Sequence, residues 1–142
     1  MRILGLDLGE RRIGVALSDP LGLTAQRLTL LERRNASADI EALRELVKQH
    51  AVETIVVGLP LTMRGEHGIQ AQKVSAFADR LRLELSVPVQ LVDERLTTVQ
   101  GERALLATNA SRRKRKETID QVAAQLILQQ FLDRYRTPMS EP

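Results

Sequence analysis

Asp7 sits where an acidic residue is costly, inside the apolar run Ile3-Leu4-Gly5-Leu6-Asp7-Leu8. Asp is depleted in strands, and a carboxylate among such neighbours loses hydration, so it needs a cation, a proton or hydrogen bonds in compensation. Two readings stay open from this segment alone: Asp7 accepts backbone hydrogen bonds from the following turn or pairs with Arg11 or Arg12, or it is held for a ligand. Glu94 and Asp120 are further candidates for chemistry. Glu94, in Val92-Asp93-Glu94-Arg95, ends a short apolar run whose C-terminus can reach the same crevice as the first strand, with Asp93 as its competitor. Asp120 has Ala123 and Ala124 at i+3 and i+4, at the small-residue margin of the last helix. Ordinary structural roles exist for both, an ion pair with Arg95 for Glu94 and a favourable helix dipole for Asp120.

Oxygen ligands on separate elements are what hard Mg²⁺ or Mn²⁺ ions require, and the chain has no cysteine and two histidines. Two such ions about 4 Å apart activate water and stabilise a leaving oxygen in phosphodiester hydrolysis, with no Ser or His nucleophile needed. Ser18, Thr97 and Thr98 read as turn and capping residues, and His67 as a loop residue.

Elements that would position these groups follow from periodicity. Gly9-Glu10-Arg11 turns the first strand into a second, Arg12 to Ser18, with alternating Ile13, Val15 and Leu17. Ala25 to Leu31 is expected as a third strand. Asn35 or Ser37 caps a helix to about His50 that buries Ile40, Leu43 and Val47. Thr54 to Gly58 reads as a buried parallel strand, Thr62 to Gly68 as a mobile loop, and Val74, Phe77, Ala78, Leu81 and Leu85 as an amphipathic helix. After Pro88 comes a strand, Val89 to Val92. Thr97 and Gln100 form a capping box for a helix to about Ala107, and Asn109 to Lys116 is a basic connection. A last helix runs from about Glu117 to Tyr135. Three hairpin-linked strands followed by βα units imply an α/β, three-layer domain with a mixed five-stranded sheet and helices on both faces. One domain over residues 1–136 is expected, with a disordered tail at 137–142.

A chain of 142 residues can bury roughly 68–70% of its unfolded surface, enough for a core without disulfides. The absence of cysteine fits a reducing compartment, and no signal peptide or apolar stretch of about 18 residues is present, so a cytoplasmic, non-membrane protein is expected. The formal charge is +3, yet Arg112-Arg113-Lys114-Arg115-Lys116 contributes five positive charges, so the remainder is net acidic. Basicity gathered in one run is the footprint of a polyanion contact, or else a solvated loop beside a helix. Aromatics are limited to Phe77, Phe131 and Tyr135, so any nucleic acid is expected to be held through phosphates and shape.

With these motifs assembled, the chain resembles the YqgF family, a resolvase or pre-16S ribosomal RNA nuclease group with an RNase H-like fold. The resemblance rests on Asp7-x-Gly9-x-x-Arg12-Ile13-Gly14-Val15-Ala16-x-Ser18-Asp19, on Gly58-Leu59-Pro60 with Gly65, on Asp93-Glu94-Arg95-Leu96-Thr97-Thr98, and on Lys116 with Asp120-x-x-Ala123-Ala124. Gly101 departs from the pattern, where Ala is expected. The resemblance implies that Asp7, Glu94 and Asp120 are the metal-holding acidic triad of a nuclease, and that Arg12, Arg95 and Lys116 lie near the scissile phosphate. It further implies structured precursor RNA as substrate ahead of branched DNA and pre-ribosomal particles as partners. No segment announces an interface, and a monomer or weak homodimer is expected. A Holliday junction resolvase and a non-catalytic RNA-binding assembly factor are the alternatives. The Asp7-Leu8-Gly9 hairpin also resembles the first phosphate segment of actin-like sugar kinases and ATPases, but those close two domains around a nucleotide and no second phosphate motif is found here.

Overall fold

The computed structural model describes residues 2–62, 64–94 and 122–134. Alternation of apolar residues with period two builds a hairpin-linked trio, β1 (Arg2–Leu8), β2 (Arg12–Ser18) and β3 (Ala25–Glu32). Two crossovers follow: α1 (Ala36–Gln49) leads to β4 (Val52–Leu59), and α2 (Ile69–Glu84) to β5 (Val89–Asp93). Residues 122–134 form a further helix, α3. The sheet order is β3-β2-β1-β4-β5, antiparallel across the hairpins and parallel from β1 through β4 to β5. β1 is therefore central, and the C-terminal ends of the three parallel strands share one edge.

Each face of the sheet has its own core. Leu4, Leu6, Leu8, Ile13 and Val15 pack under α1 and α2 through Ile40, Leu43, Val74, Phe77 and Leu81. Ile3, Ala16, Val56 and Val92 pack under α3 through Ala124, Ile127, Leu128 and Phe131. The mixed sheet with helices on both faces matches the RNase H-like expectation. Gly5 lets α3 lie close to β1, since a β-carbon there would stand 2.7 Å from Leu128 Cβ and 3.2 Å from the Ala124 carbonyl.

Local chemistry decides the boundaries. Asn35 rather than Ser37 caps α1, its side chain accepting the Ala38 N–H at 2.8 Å. Ser18 is neither turn nor cap: it ends β2, buried, and its hydroxyl accepts the Ile3 N–H at 2.8 Å. The 62–68 segment, expected as a mobile loop, is internally bonded. Thr62 N–H donates to the Glu66 carbonyl at 3.0 Å, Glu66 N–H donates to Thr62 Oγ1 at 3.0 Å, and Gly65 at φ 82° closes the turn. Among the described residues no helix is long and apolar enough to cross a membrane. The expected Thr97 helix, the basic connection, the start of the last helix and the 137–142 tail lie outside the described residues.

Candidate functional site

β1 alternation sends Leu4, Leu6 and Leu8 to the α1/α2 face and Ile3, Gly5 and Asp7 to the α3 face. Asp7 is 4% exposed. Its register partner on β2 is Gly14, and the pairing of Leu6 with Val57 places Gly58 at the next step on β4. The buried carboxylate thus has glycine as its register neighbour on both adjacent strands.

Phase also separates Glu94 from Asp93. Val92 points to α3 and Leu91 to the opposite core, so Asp93 ends the strand in phase with Leu91, while the Glu94 carboxylate, just past the strand, lies against Gly58 beside Ile127 on the α3 side. Glu94 is 1% exposed, whereas Asp93 is only half-buried. A β-carbon on Gly58 would come within 2.9 Å of Glu94 Oε1. Gly58 therefore makes the room in which the Glu94 carboxylate lies.

The two acids meet in one cleft. A cavity of about 190 Å³ is lined by Asp7, Leu8, Gly9, Gly58, Pro60, Gln70 and Glu94. Its donors are oxygens from two strand ends, a set suited to a hard divalent cation. Among the described residues no cluster of three or more His, Cys, Asp or Glu side chains is placed to hold a metal, and these two carboxylates are a pair. Asp120, the expected third acid, lies outside the described residues.

Helix α3 has a readable direction. Gln129 Nε2 donates to the Leu23 carbonyl and Gln129 Oε1 accepts the Ala25 N–H, while Gln125 bonds Ala25 and Arg27. Moving from Gln129 to Gln125 therefore moves along β3 toward Leu31, which pairs with Ile13 beside the Asp7 end of the sheet. The N-terminal side of α3 is therefore directed toward the cleft end of the sheet.

Arg12 begins β2, on the face shared by Gly14 and Ala16, and so lies at the rim on the Asp7 side. Its Nε donates to Glu32 Oε1 at 3.3 Å, a pair in which Glu32 is 75% exposed. Arg95 and the run Arg112, Arg113, Lys114, Arg115 and Lys116 lie outside the described residues. His67 is exposed in the 62–68 turn, and its side chain does not line the cleft.

Two contributors escape sequence reasoning. Gln70, on the first turn of α2, lines the cleft and donates from Nε2 to the Leu8 carbonyl at 3.4 Å. Arg33 braces the β1–β2 turn: it donates to the Gly9 carbonyl at 2.9 Å, pairs with buried Asp39 at 3.3 Å, and lies 5.2 Å from the Phe77 ring centre. Neither carries a local signal, since each acts across the fold. Gly58 did carry one, a glycine inside a continuously apolar strand.

A family model described as "RuvX: Holliday junction resolvase" matches residues 1–134. The chain is 58% identical over 134 residues to a Moorella thermoacetica protein named "Putative pre-16S rRNA nuclease", covering 94% of this chain and 96% of that one. A Clostridium novyi protein of the same name is 51% identical over 133 residues, covering 94% and 98%. In structure the chain is similar to Thermus thermophilus RuvC in complex with a Holliday junction substrate. The TM-score is 0.58 at 15% identity, covering 96% of this chain and 97% of the other, a likeness of fold alone.

Proposed function

From the premise that this chain belongs to the RuvX family, we propose that it is a metal-dependent endonuclease that hydrolyses phosphodiester bonds in structured RNA, maturing the 5′ end of pre-16S ribosomal RNA. One observation carries this reading: buried Asp7 on β1 and buried Glu94, immediately past the end of β5, line a single cleft opened by Gly58. The names borne by the relatives support the substrate.

Buried oxygen donors without sulfur or imidazole fit a hard cation, and Asp7, Glu94 and Asp120 would hold it. Asp120 belongs to this set by family resemblance, and the direction of α3, whose N-terminal side runs toward the cleft end of the sheet, supports it. Two Mg²⁺ or Mn²⁺ ions bound there would supply an activated water and a counter-charge for the leaving oxygen. The chain's own residues do the rest. β1, paired on both edges, holds Asp7 rigidly against displacement, and Gly58 lets Glu94 reach inward. Arg12 stands at the rim to meet a phosphate, with the exposed Glu32 carboxylate displaced by the stronger anion. Arg95 and the 112–116 run add phosphate contacts that hold substrate without reading bases. With few aromatics, helical shape and the pre-ribosomal particle place the cut.

The test compares cleavage of precursor RNA inside assembled small-subunit particles with cleavage of a synthetic mobile four-way junction, using wild type and Asp7→Asn in parallel. Particle-dependent 5′ trimming that disappears in Asp7→Asn is expected, from a monomer or weak homodimer. The family's description favours a second reading, junction resolution. That activity needs two active sites on a symmetric substrate, so symmetric nicking by a dimer with precursor particles untouched would make it primary.

A further inference from the structure

A second and larger cavity lies on the opposite face of the sheet, immediately beside the cleft. It has a volume of about 630 Å³, within the ~300–1,000 Å³ usual for small-molecule sites. Leu8 and Gln70 line both cavities, so the two are separated only by the end of β1 and the first turn of α2. Asp7 and Leu8 are consecutive strand residues facing opposite ways. A strand crossing the sheet edge therefore meets the acidic cleft on one side and this cavity on the other.

The cavity has an apolar floor and a cationic rim. Leu8, Val74 and Phe77 are buried beneath it. Lys73 and Arg80 stand two turns apart on α2, with Ala76 between them, and Arg33 borders the far side. Three cations thus face one carboxylate, Glu10. Arg33 and Arg80 are anchored, to Asp39 and Glu84 respectively, while Lys73 has no ion-pair partner among the described residues. An apolar floor cannot favour a sugar-phosphate backbone alone, and a base stacked inside a duplex is not available to it. A base out of the stack, with its phosphate at the rim, satisfies both halves of the lining.

We propose that this cavity seats one unpaired nucleotide of the substrate strand next to the scissile phosphate, so that the protein selects structured nucleic acid with a local break in pairing over uniform duplex. The proposal deepens the nuclease reading and rests on it. Lys73 and Arg80 are positioning residues for the flanking phosphate, and Val74 and Phe77 are the surface under the base.

Two labelled RNA duplexes of equal length, one fully paired and one carrying a single unpaired nucleotide, are bound to Asp7→Asn protein and followed by fluorescence anisotropy. The unpaired form should bind tighter by about tenfold, the scale of one buried apolar group. Ala76→Trp on this background fills the mouth of the cavity from an exposed helix position and should abolish the preference while leaving affinity for the paired duplex unchanged. Lys73→Glu, at an exposed position, should weaken the unpaired duplex more than the paired one. Equal binding of the two duplexes, or a preference intact in both variants, overturns the proposal. Cleavage by wild type is scored separately. Cleavage without the preference defeats the cavity alone, and the preference without any cleavage defeats the nuclease reading while upholding the cavity as a nucleotide site.

Discussion

Glu94 Oε1 lies 2.9 Å from where a β-carbon on Gly58 would stand, so the missing side chain at residue 58 is what admits the second carboxylate to the cleft. The same β-carbon would collide with Ile127 Cδ1 of α3. Gly58→Ala should therefore cost about 1–3 kcal/mol of stability through overpacking, read by urea denaturation. It should also lower cleavage by about a hundredfold by displacing Glu94. Adding Ile127→Val removes the colliding methyl and should recover stability but not cleavage. Recovery of both would show that Gly58 serves helix packing only.

Asp7→Asn, Glu94→Gln and Asp120→Asn should each abolish metal-dependent cleavage with the circular dichroism spectrum unchanged, and Asp93→Asn should do less because it points to the other face. Ligand binding stabilises the folded state, by about 2.7 kcal/mol at a hundredfold excess over Kd. Mn²⁺ should thus raise the melting temperature of wild type and leave Asp7→Asn unmoved. Without metal, Asp7→Asn should melt no lower than wild type, since it removes one of two like charges buried together. Full activity in the Asp7 variant, with contaminating nucleases excluded, would sink the triad.

The basic run should contribute affinity with little sequence choice. Replacing Arg112, Arg113, Arg115 and Lys116 by Ala should weaken RNA binding and flatten its salt dependence, by about 0.7–0.9 in log–log slope for each phosphate no longer neutralised. Lys116→Ala alone should also lower turnover. An unchanged slope would return the run to a solvated loop.

Asp19 organises the β2–β3 turn, its Oδ1 accepting the Leu23 N–H at 2.7 Å and the Thr24 N–H at 3.0 Å. The Thr24 bond foremost, with smaller help from Leu23, holds its carboxyl below the usual 3.8. Folding therefore favours the ionised form. The stability it contributes is present above the unfolded value and lost as pH falls through the lower folded one. The stability gap between wild type and Asp19→Ala should accordingly hold steady above about pH 5 and shrink as pH falls below it, through the folded value. A gap that stays constant would assign the turn's stability to the backbone alone.

Alternation along Ile13, Val15 and Leu17 with the Gly9 turn placed the β1–β2 hairpin, and a short continuous apolar run placed β4. Pro60 and Pro88 set limits for β4 and β5, and the 3.6-residue stripes placed α1 and α2, because these patterns are local and repeat along the chain. Asp7 was legible for the same reason: one acid interrupts an apolar strand within a few residues.

The choice of Glu94 over Asp93 needed to know which face of β5 meets α3, and that depends on Val92 packing against a helix about thirty residues later. Ser18 changed from turn residue to strand residue because its hydroxyl answers Ile3 across the hairpin. Gly58 was visible as a motif, but its purpose lies in Ile127 and Glu94, neither of which is near it in sequence. Gln70 and Arg33 belong to the same class, each reaching a backbone carbonyl of the first turn from another element. The elements from β1 to β5 and the acid at the centre of the sheet were readable from the chain, since hydrophobic period and turn chemistry act between neighbours. The tertiary structure alone decided the cleft, because steric room and the pairing of buried charge are set between side chains that only folding brings together.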